Sequence, residues 1–321
     1  MQNRYNYAVL LFCIFLAIAC KKEESTKAFQ NAVIKKTIGP NLVGEKILFS
    51  YAMGTTNGKL SSAQVIASIA GADGTGFEPY SWNTSASGGE VAVVVAENCV
   101  TNDATSSASF IDTAAATLRY FYVVPEEARG KSVSFTFSGK SSNGENVNYT
   151  TDSYPVSNID MVRNIEVEDN AVCYLSIRDM KAYSKAEVDA DAGLAASIDL
   201  IYLYREKAGV SFAHALVSPA ANTYLEGAEV PSGSSNDTKI EKQVNIRDQH
   251  LSGKQYAVFV DDIDFKNLNL ANAADFVLNF KTDEGAWVET NDGKYRAFIY
   301  INAADNSTKS MTISIKRLTM K

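Results

Sequence analysis

Alternating hydrophobic and polar positions dominate the chain and predict a protein built mainly of β-strands. The pattern is clearest where β-branched and aromatic residues occupy every second position. The predicted strands are 46–52, 90–97 (as a short buried strand), 118–124, 132–138, 172–177, 197–204, 255–260, 276–281, 295–301 and 310–316. Asn57-Gly58, Asn143-Gly144 and Asp292-Gly293 predict tight turns, because these residue types tolerate the positive φ of hairpin turns.

Two short helices are predicted from capping boxes. Ser61 precedes Gln64, and Ser184 precedes Glu187, by three residues. At that spacing, the serine hydroxyl and the longer polar side chain satisfy each other's free backbone donors. We therefore expect a mainly β protein with short helices.

The strand signals fall into two halves, which predicts two tandem immunoglobulin-like β-sandwich domains over residues 45–162 and 163–321. Residues 119–124 lead into 131–137 much as 296–301 lead into 309–315. We interpret the halves as diverged copies of one domain, the second carrying an insertion. Chance similarity between strand pairs is the alternative.

The first 19 residues have the layout of a signal peptide. Arg4 is followed by an uninterrupted apolar run from Ala8 to Ala19, which is shorter than the roughly 20 residues of a membrane-spanning helix. Leu16-Ala17-Ile18-Ala19-Cys20 resembles the lipobox of bacterial lipoproteins, although Ala17 stands where a larger aliphatic residue is usual. The resemblance implies cleavage before Cys20 and lipidation of Cys20. An ordinary secretory signal is the alternative.

A charged run, Lys21-Lys22-Glu23-Glu24, follows the cysteine. It resembles the signal that directs Bacteroidota lipoproteins to the outer face of the outer membrane. A solvated charge run at the start of a tether is the alternative. Residues 20–44 are mixed polar with glycine and proline, so we predict a lipid-anchored linker and a cell-surface location in which Cys20 joins the chain to the membrane.

Composition excludes one class of partner. The 321-residue chain carries 30 Lys and Arg against 37 Asp and Glu, a net charge of −7. An acidic surface repels phosphate backbones, so nucleic acid is not a predicted partner. Cys99 and Cys173 are far apart in the sequence, which predicts two buried thiols rather than a disulfide.

Several segments resemble an uncharacterised family of Bacteroidota surface lipoproteins. They are SYAMG at 50–54, ATLRYFYVVPEEARGK at 116–131, DMKAY at 179–183 and IDLIYLYR at 198–205. The resemblance covers most of the chain after the signal peptide. It implies a location and a domain type, and it brings no activity with it.

No catalytic residue and no cofactor is predicted. Neither His214 nor His250 has a partner at metal-site or triad spacing, so both are expected at the surface or at strand ends. Asp261, Asp262 and Asp264 follow a predicted strand, where loop carboxylates can bind calcium. Exposed turn residues are the favoured interpretation of this acidic cluster.

Aromatic residues near turns are the most suggestive chemistry. Tyr80 and Trp82 lie in a segment rich in glycine and serine, and Trp287 precedes the turn at 291–293. An exposed aromatic ring beside amide or carboxylate groups can stack on a sugar while the polar groups bind its hydroxyls. Core packing is the alternative for both tryptophans.

We therefore predict a cell-surface lipoprotein that binds glycan or protein ligands without catalysing a reaction. One alternative is a structural subunit of fimbriae assembled by strand exchange, for which Lys35-Lys36 is the basic processing candidate. A second is a glycan hydrolase, which needs two carboxylates in a cleft.

Overall fold

The computed structural model describes residues 28–225 and 227–321. Within these residues the chain forms two β-sandwiches in tandem, each made of two antiparallel five-stranded sheets. The predicted fold class, mainly β with two tandem sandwich domains, is confirmed. The predicted signal peptide, Cys20 and the charged run 21–24 lie outside the described residues.

The N-terminal domain is built from strands β1 to β12. Their bounds are Phe29–Lys35 (β1), Lys46–Thr55 (β2), Leu60–Ala67 (β3), Gly76–Thr84 (β4), Glu90–Val94 (β5), Ala96–Asn102 (β6), Thr105–Phe110 (β7), Ala115–Val123 (β8), Ser132–Val133 (β9), Phe135–Ser141 (β10), Asn146–Thr150 (β11) and Tyr154–Pro155 (β12). One sheet has the order β1-β2-β8-β4-β5 and the other β11-β10-β3-β7-β6. Strands β9 and β12 form a separate short pair.

Aromatic side chains fill the space between these two sheets. The ring of Phe49 lies 4.8 Å from that of Phe135, 5.4 Å from Phe137, 5.8 Å from Tyr154 and 6.2 Å from Tyr120, centroid to centroid. Tilted rings at these separations are a favourable arrangement beyond the area they bury. Because alternate residues of β2 and β8 point inward, their other side chains form the outer face of the sheet.

The C-terminal domain contains strands β13 to β22 and four short helices. Its strands are Asp160–Glu168 (β13), Val172–Ser176 (β14), Lys181–Ser184 (β15), Leu200–Lys207 (β16), Val210–Val217 (β17), Lys239–Gln243 (β18), Phe276–Phe280 (β19), Gly285–Glu289 (β20), Tyr295–Asp305 (β21) and Ser310–Thr319 (β22). Its helices are Lys185–Ala190 (α1), Ala192–Ala195 (α2), Gln249–Ser252 (α3) and Asp262–Asn267 (α4). The sheet orders are β13-β22-β21-β20-β18 and β15-β14-β16-β17-β19. In the part of the chain that the structure describes, no helix has the length and apolar character needed to cross a membrane.

A third apolar cluster lies where the two domains meet. Leu42 and Ile159 pack into it beside Leu251, Phe265 and other residues of the C-terminal domain. Close contact continues at Gly39, where an added Cβ would come within 2.5 Å of the Phe259 ring. The segment around residues 39–42 is therefore held against the C-terminal domain.

One of the two predicted helices is wrong. Residues 61–65 belong to β3, whose buried residues Leu60, Ala63, Val65 and Ala67 face the core while β7 and β10 pair with it on either side. Burial of alternate residues on one face of the sheet therefore makes this segment a strand, despite the capping-box signal at Ser61. The other prediction is confirmed, because Ser184 and Glu187 form both hydrogen bonds of a capping box at the start of α1.

Three strand predictions differ from the structure. Segment 90–97 was expected to be buried, but it divides at Val95 into β5 and β6, and every residue of the edge strand β5 is exposed. Residues 255–260 form no strand and belong instead to the connection between α3 and α4. Residues 29–35, assigned to the linker, form β1, in which Phe29 is buried.

The two predicted closing strand pairs are not equivalent. In the C-terminal domain β21 and β22 are neighbours in one sheet, joined in register from Tyr295–Thr319 to Asp305–Ser310. In the N-terminal domain β8 and β10 lie in opposite sheets. The different strand orders contradict the interpretation of the halves as copies of one domain.

Candidate functional site

A groove of about 590 Å³ crosses the outer face of the first N-terminal sheet. We call it the outer groove. The strand register places Ala32 of β1 beside Ala52 of β2, which lies beside Thr117 of β8. Gly54 and Ala115 form a second row next to it. These small side chains form the floor of the groove and leave a depression in the outer face of the sheet.

Amide side chains border this floor. Gln30 and Asn31 of β1 line one side and Asn83 of β4 lines the other. Asn31 Nδ2 donates a hydrogen bond at 3.2 Å to the hydroxyl of Tyr51, a buried residue, so this amide is turned toward the core and not toward the groove floor. The Asn83 amide makes no hydrogen bond within residues 28–225 and 227–321. Ala28, where the described chain begins, lines one end of the groove.

The groove opens where β4 separates from β8. The two strands pair at Gly76 and Phe77, their register shifts, and Ser81 is the last paired residue of β4. The Ser81 hydroxyl accepts a hydrogen bond from the Thr117 N–H at 3.0 Å, so a side chain replaces the backbone partner. Beyond this point Asn83 stands apart from Ala115, which leaves the floor accessible.

Trp82 and Arg119 form a stack beside the groove. The Arg119 guanidinium carbon lies 3.7 Å from the centre of the Trp82 ring, and Trp82 Nε1 donates to Glu78 Oε2 at 2.8 Å. Arg119 Nη2 donates to Glu90 Oε2 at 2.6 Å, and this hydrogen bond lowers the pKa of the Glu90 carboxyl. Tyr80 approaches the indole at 6.4 Å between ring centroids. One face of Trp82 is thus covered by a cation.

The predicted aromatic ligand residues therefore have different environments. Tyr80 is exposed, and Trp82 is partly exposed with Arg119 on one face. Trp287 is buried, with the Phe298 ring at 4.8 Å and the Phe265 ring at 5.3 Å. The prediction that Trp287 presents a free ring to a ligand is wrong, because β20 directs it into the cluster between the domains.

The acidic cluster at 261–264 begins α4. The Asp261 carboxylate accepts hydrogen bonds from the N–H groups of Ile263 and Asp264, and the Asp264 carboxylate accepts one from the Asp261 N–H. Asp262 lies in the first helical turn. Across residues 28–225 and 227–321, no three His, Cys, Asp or Glu side chains are grouped so as to hold a metal ion. The weak calcium candidates Asp261, Asp262 and Asp264 therefore belong to a helix cap and its first turn.

His214 differs from its predicted surface position. It is buried in β17, where Nδ1 lies 2.7 Å from the Tyr202 hydroxyl and Nε2 lies 2.8 Å from Asn306 Oδ1. Both ring nitrogens are satisfied, so the residue stabilises the core. Cys173 is a buried free thiol as expected, whereas the free thiol of Cys99 is partly exposed.

Two carboxyl groups line a cavity of about 270 Å³ in the C-terminal domain. Asp199 is buried and its Oδ2 accepts a hydrogen bond from the Ile177 N–H at 2.7 Å. Burial raises the pKa of Asp199 to about 7. Asp292 is exposed, and a hydrogen bond from the Lys294 N–H lowers its pKa. Each carboxyl group holds a turn of the backbone.

The outer groove was missed in the sequence, although a signal for it exists. Ala52 and Gly54 alternate with large buried residues on β2, and Ala115 and Thr117 do so on β8. Small residues on the outer side of two strands indicate a depression only if the strands are adjacent. That adjacency joins residues more than 60 positions apart and is not visible in the local pattern.

The fold and the groove define a class, the two-domain β-sandwich proteins with an exposed groove on a sheet face. Residues 26–156 match the model of a family described as domain of unknown function DUF4466, and residues 157–320 match that of DUF8576, also of unknown function. A crystal structure of a DUF4466 family protein from Parabacteroides merdae ATCC 43184 is similar to this chain with 45% sequence identity and a TM-score of 0.86. The match covers 91% of this chain and 99% of that chain. The chain therefore belongs to the DUF4466 family, which has a member in the Bacteroidota.

Two further solved structures show a much weaker similarity. The major pilin subunit BcpA of Bacillus cereus matches at 12% identity and a TM-score of 0.29, over 47% of this chain and 49% of that chain. The Actinomyces fimbrial adhesin FimA matches at 8% identity and a TM-score of 0.26, over 91% of this chain and 100% of that chain. Scores this low carry no argument about function. No curated protein matches the chain.

Proposed function

We propose that this chain is a lipid-anchored protein of the cell surface that binds a neutral glycan in the outer groove. The groove itself carries the proposal. Its volume of about 590 Å³ suits a small oligosaccharide, since ligand sites measure roughly 300–1,000 Å³. Apart from Met53, the described residues that line it are small, hydroxyl-bearing or amide-bearing, and none is charged. Such a lining favours an uncharged ligand rich in hydroxyl groups.

The proposed location is supported by the N-terminal sequence. A short apolar run ends at Cys20, and charged residues follow directly. In the native host, the protein is expected to incorporate radiolabelled palmitate, and Cys20→Ala is expected to lose the label while Cys99→Ala keeps it. Unlabelled protein that retains its leader would contradict the proposed anchor.

A groove-filling substitution tests the ligand site. Ala32 lies on the groove floor and is exposed, so Ala32→Trp fills the groove without disturbing the core. On a ligand identified by glycan array, we expect the variant to bind at least tenfold more weakly, a loss of about 1.4 kcal/mol. Isothermal titration of the full chain measures the change.

The matched control is Ile34→Trp. Ile34 lies two residues along the same face of β1, is 62% exposed and is not part of the groove lining. This variant is expected to bind like the original chain. Equal loss in both variants, or an array with no bound neutral glycan, would contradict glycan binding in the groove.

One observation favours the fimbrial alternative. Among the described residues, strand β1 lies at a sheet edge and pairs only with β2, and it ends at the basic pair Lys35-Lys36, of which Lys36 is exposed. Cleavage there would remove β1 and uncover the edge of β2 for a strand of another subunit. Filaments that appear only after this cleavage, from a chain that binds no glycan, would favour a structural subunit.

The hydrolase alternative receives less support. Asp199 and Asp292 share a cavity, as a pair of catalytic carboxyls would. Each of them already accepts a backbone hydrogen bond that holds a turn. This engagement favours a structural role for both residues.

A further inference from the structure

A polar cleft of about 430 Å³ lies in the C-terminal domain beside its contact with the N-terminal domain. We call it the interdomain cleft. Strand β13 contributes Arg163 and Asn164 to it, and helix α3 contributes Gln249 and His250. A second cavity of about 230 Å³ shares Gln249 and His250 and is lined on its other side by residues of the N-terminal domain. The two cavities therefore adjoin at α3.

Several polar groups in this cleft have no protein partner. Within the described ranges, the side-chain amides of Asn164, Gln249 and Gln255 make no hydrogen bond. His250 Nδ1 is buried and also lacks a partner there. Asn164 and Gln255 are exposed and Gln249 is partly exposed, so their amides face solvent and are open to a ligand. Buried polar groups are nearly always hydrogen-bonded in folded proteins, so His250 Nδ1 is the atom of this set that most needs a partner.

Tyr256 follows Gln255, a residue that lines the cleft, directly along the chain and is not itself part of the lining. Its side chain is 99% exposed and its backbone has φ +62°. The left-handed conformation is unfavourable for a residue other than glycine, because its Cβ crowds the following carbonyl oxygen. A ring this exposed gains little from packing, so neither the ring of Tyr256 nor its left-handed backbone stabilises the fold. An ion pair from Lys254 to Asp283, at 2.5 Å, holds the loop on which the ring is presented.

The charged side chains around the two cavities are mainly positive. Arg163 donates through Nε to the His250 carbonyl at 2.6 Å and through Nη1 to Glu45 at 2.8 Å, which leaves Nη2 for a ligand. Lys36 and Lys46 line the adjoining cavity with Glu45. Among the described residues that line the interdomain cleft, Arg163 alone is charged, and across the two adjoining cavities three cations, Arg163, Lys36 and Lys46, accompany one anion, Glu45. Burial lowers the pKa of His250 to about 4, so its ring is neutral at pH 7.

We infer that the interdomain cleft is a second ligand site, which takes a saccharide bearing carboxylates. The Tyr256 ring stacks on a sugar, the free amides bind its hydroxyls, and the local positive charge attracts its carboxylate. This inference goes beyond the proposed function, since it concerns another site and a ligand of different charge. It does not depend on the outer groove.

The probe is an α-1,4-linked tetragalacturonate, titrated calorimetrically into the full chain at low salt. Tyr256→Gly removes the ring and places glycine where a positive φ is favourable, so the variant is expected to fold with an unchanged or higher Tm. We expect about tenfold weaker binding for Tyr256→Gly and a similar loss for Gln249→Ala. The matched control Tyr149→Ala removes another exposed tyrosine, from β11, and is expected to bind normally.

A second ligand tests whether binding depends on the carboxylate charge of the saccharide or only on its shape. The same tetrasaccharide with its carboxyl groups reduced to alcohols is expected to bind at least tenfold more weakly than the uronate. No binding of tetragalacturonate, or binding that Tyr256→Gly and Gln249→Ala leave unchanged, would overturn the inference. The outcome is independent of the groove test, because Ala32→Trp is expected to leave uronate binding intact.

Discussion

Replacing Lys316 by methionine is expected to lower the free energy of unfolding of the C-terminal domain by about 3–5 kcal/mol. Lys316 and Asp248 are both fully buried, with Nζ 2.6 Å from Oδ2. Burial lowers the pKa of Lys316 although Asp248 acts in the opposite direction. Methionine keeps a similar volume but leaves the Asp248 carboxylate in an apolar setting without its counter-ion.

The hydrogen bonds around this pair explain why the loss should be large. The Asp248 carboxylate accepts from the Leu251 N–H at 2.9 Å and from the Val260 N–H at 2.7 Å, and Lys316 Nζ donates to the Val260 carbonyl at 2.9 Å. The pair thus connects β22 to α3 and to the loop before α4. Removing one member disturbs all three at once.

Urea denaturation followed by tryptophan fluorescence measures this effect. Lys185→Met is the matched control, because Lys185 forms an exposed ion pair with Asp189 within α1. Exposed helical pairs contribute about 0.3–0.5 kcal/mol, so a small change is expected there. Equal and small losses in both variants would show that the buried pair does not stabilise the domain.

The stability of the C-terminal domain is expected to fall between about pH 4 and pH 7 because of Asp199. Burial raises its pKa to about 7, whereas an aspartate in an unfolded chain ionises near 3.9. The folded state therefore binds the proton more tightly. Its contribution to stability is complete below about pH 4 and is lost as the pH rises through 7. At about 1.36 kcal/mol for each pKa unit, the loss is on the order of 4 kcal/mol.

Asp199→Asn is expected to remove this pH dependence. The amide oxygen can still accept the Ile177 N–H but cannot ionise. At pH 8 the variant should be more stable than the original chain by about 2–4 kcal/mol, and at pH 4 the two should agree. Urea titrations at both pH values measure the difference.

Asp292→Asn provides a control of opposite sign. The hydrogen bond from the Lys294 N–H lowers the pKa of Asp292, so its ionised form stabilises the fold above the pKa of the unfolded chain. This variant is expected to lose stability at pH 8 rather than gain it. A stability difference for Asp199→Asn that does not vary with pH would contradict the assigned cause.

The predictable parts of the fold are segments rich in β-branched and aromatic residues. Residues 276–281, 295–301 and 310–316 were predicted as strands, and β19, β21 and β22 form there. In β21 both faces are buried, because Ile299 packs between the sheets and Phe298 packs in the cluster between the domains. At 61–65, a local capping signal and a short period-two pattern conflicted. Pairing of β3 with two neighbouring strands decided the outcome, and that pairing is not visible within the segment.

The candidate sites were less predictable than the fold. Trp82, predicted as a ligand residue, is partly exposed, and its stack with Arg119 joins residues of two strands and depends on sheet order. Trp287 appeared to be a loop residue because a turn follows it, whereas β20 begins before it and buries it. The interdomain cleft brings together residues of β13, α3 and β21 that are far apart in the sequence, so neither Tyr256 nor Gln249 had any local signal.

Under the proposed function, the position of Ala28 in the lining of the outer groove would limit how far from the lipid bilayer a sugar could be held. Seven residues lie between Cys20, the proposed lipidation site, and Ala28. The eight residue steps from Cys20 to Ala28 span at most about 28 Å when fully extended. A chain anchored in this way would bind short saccharides close to the headgroup layer rather than the distal ends of long surface polymers.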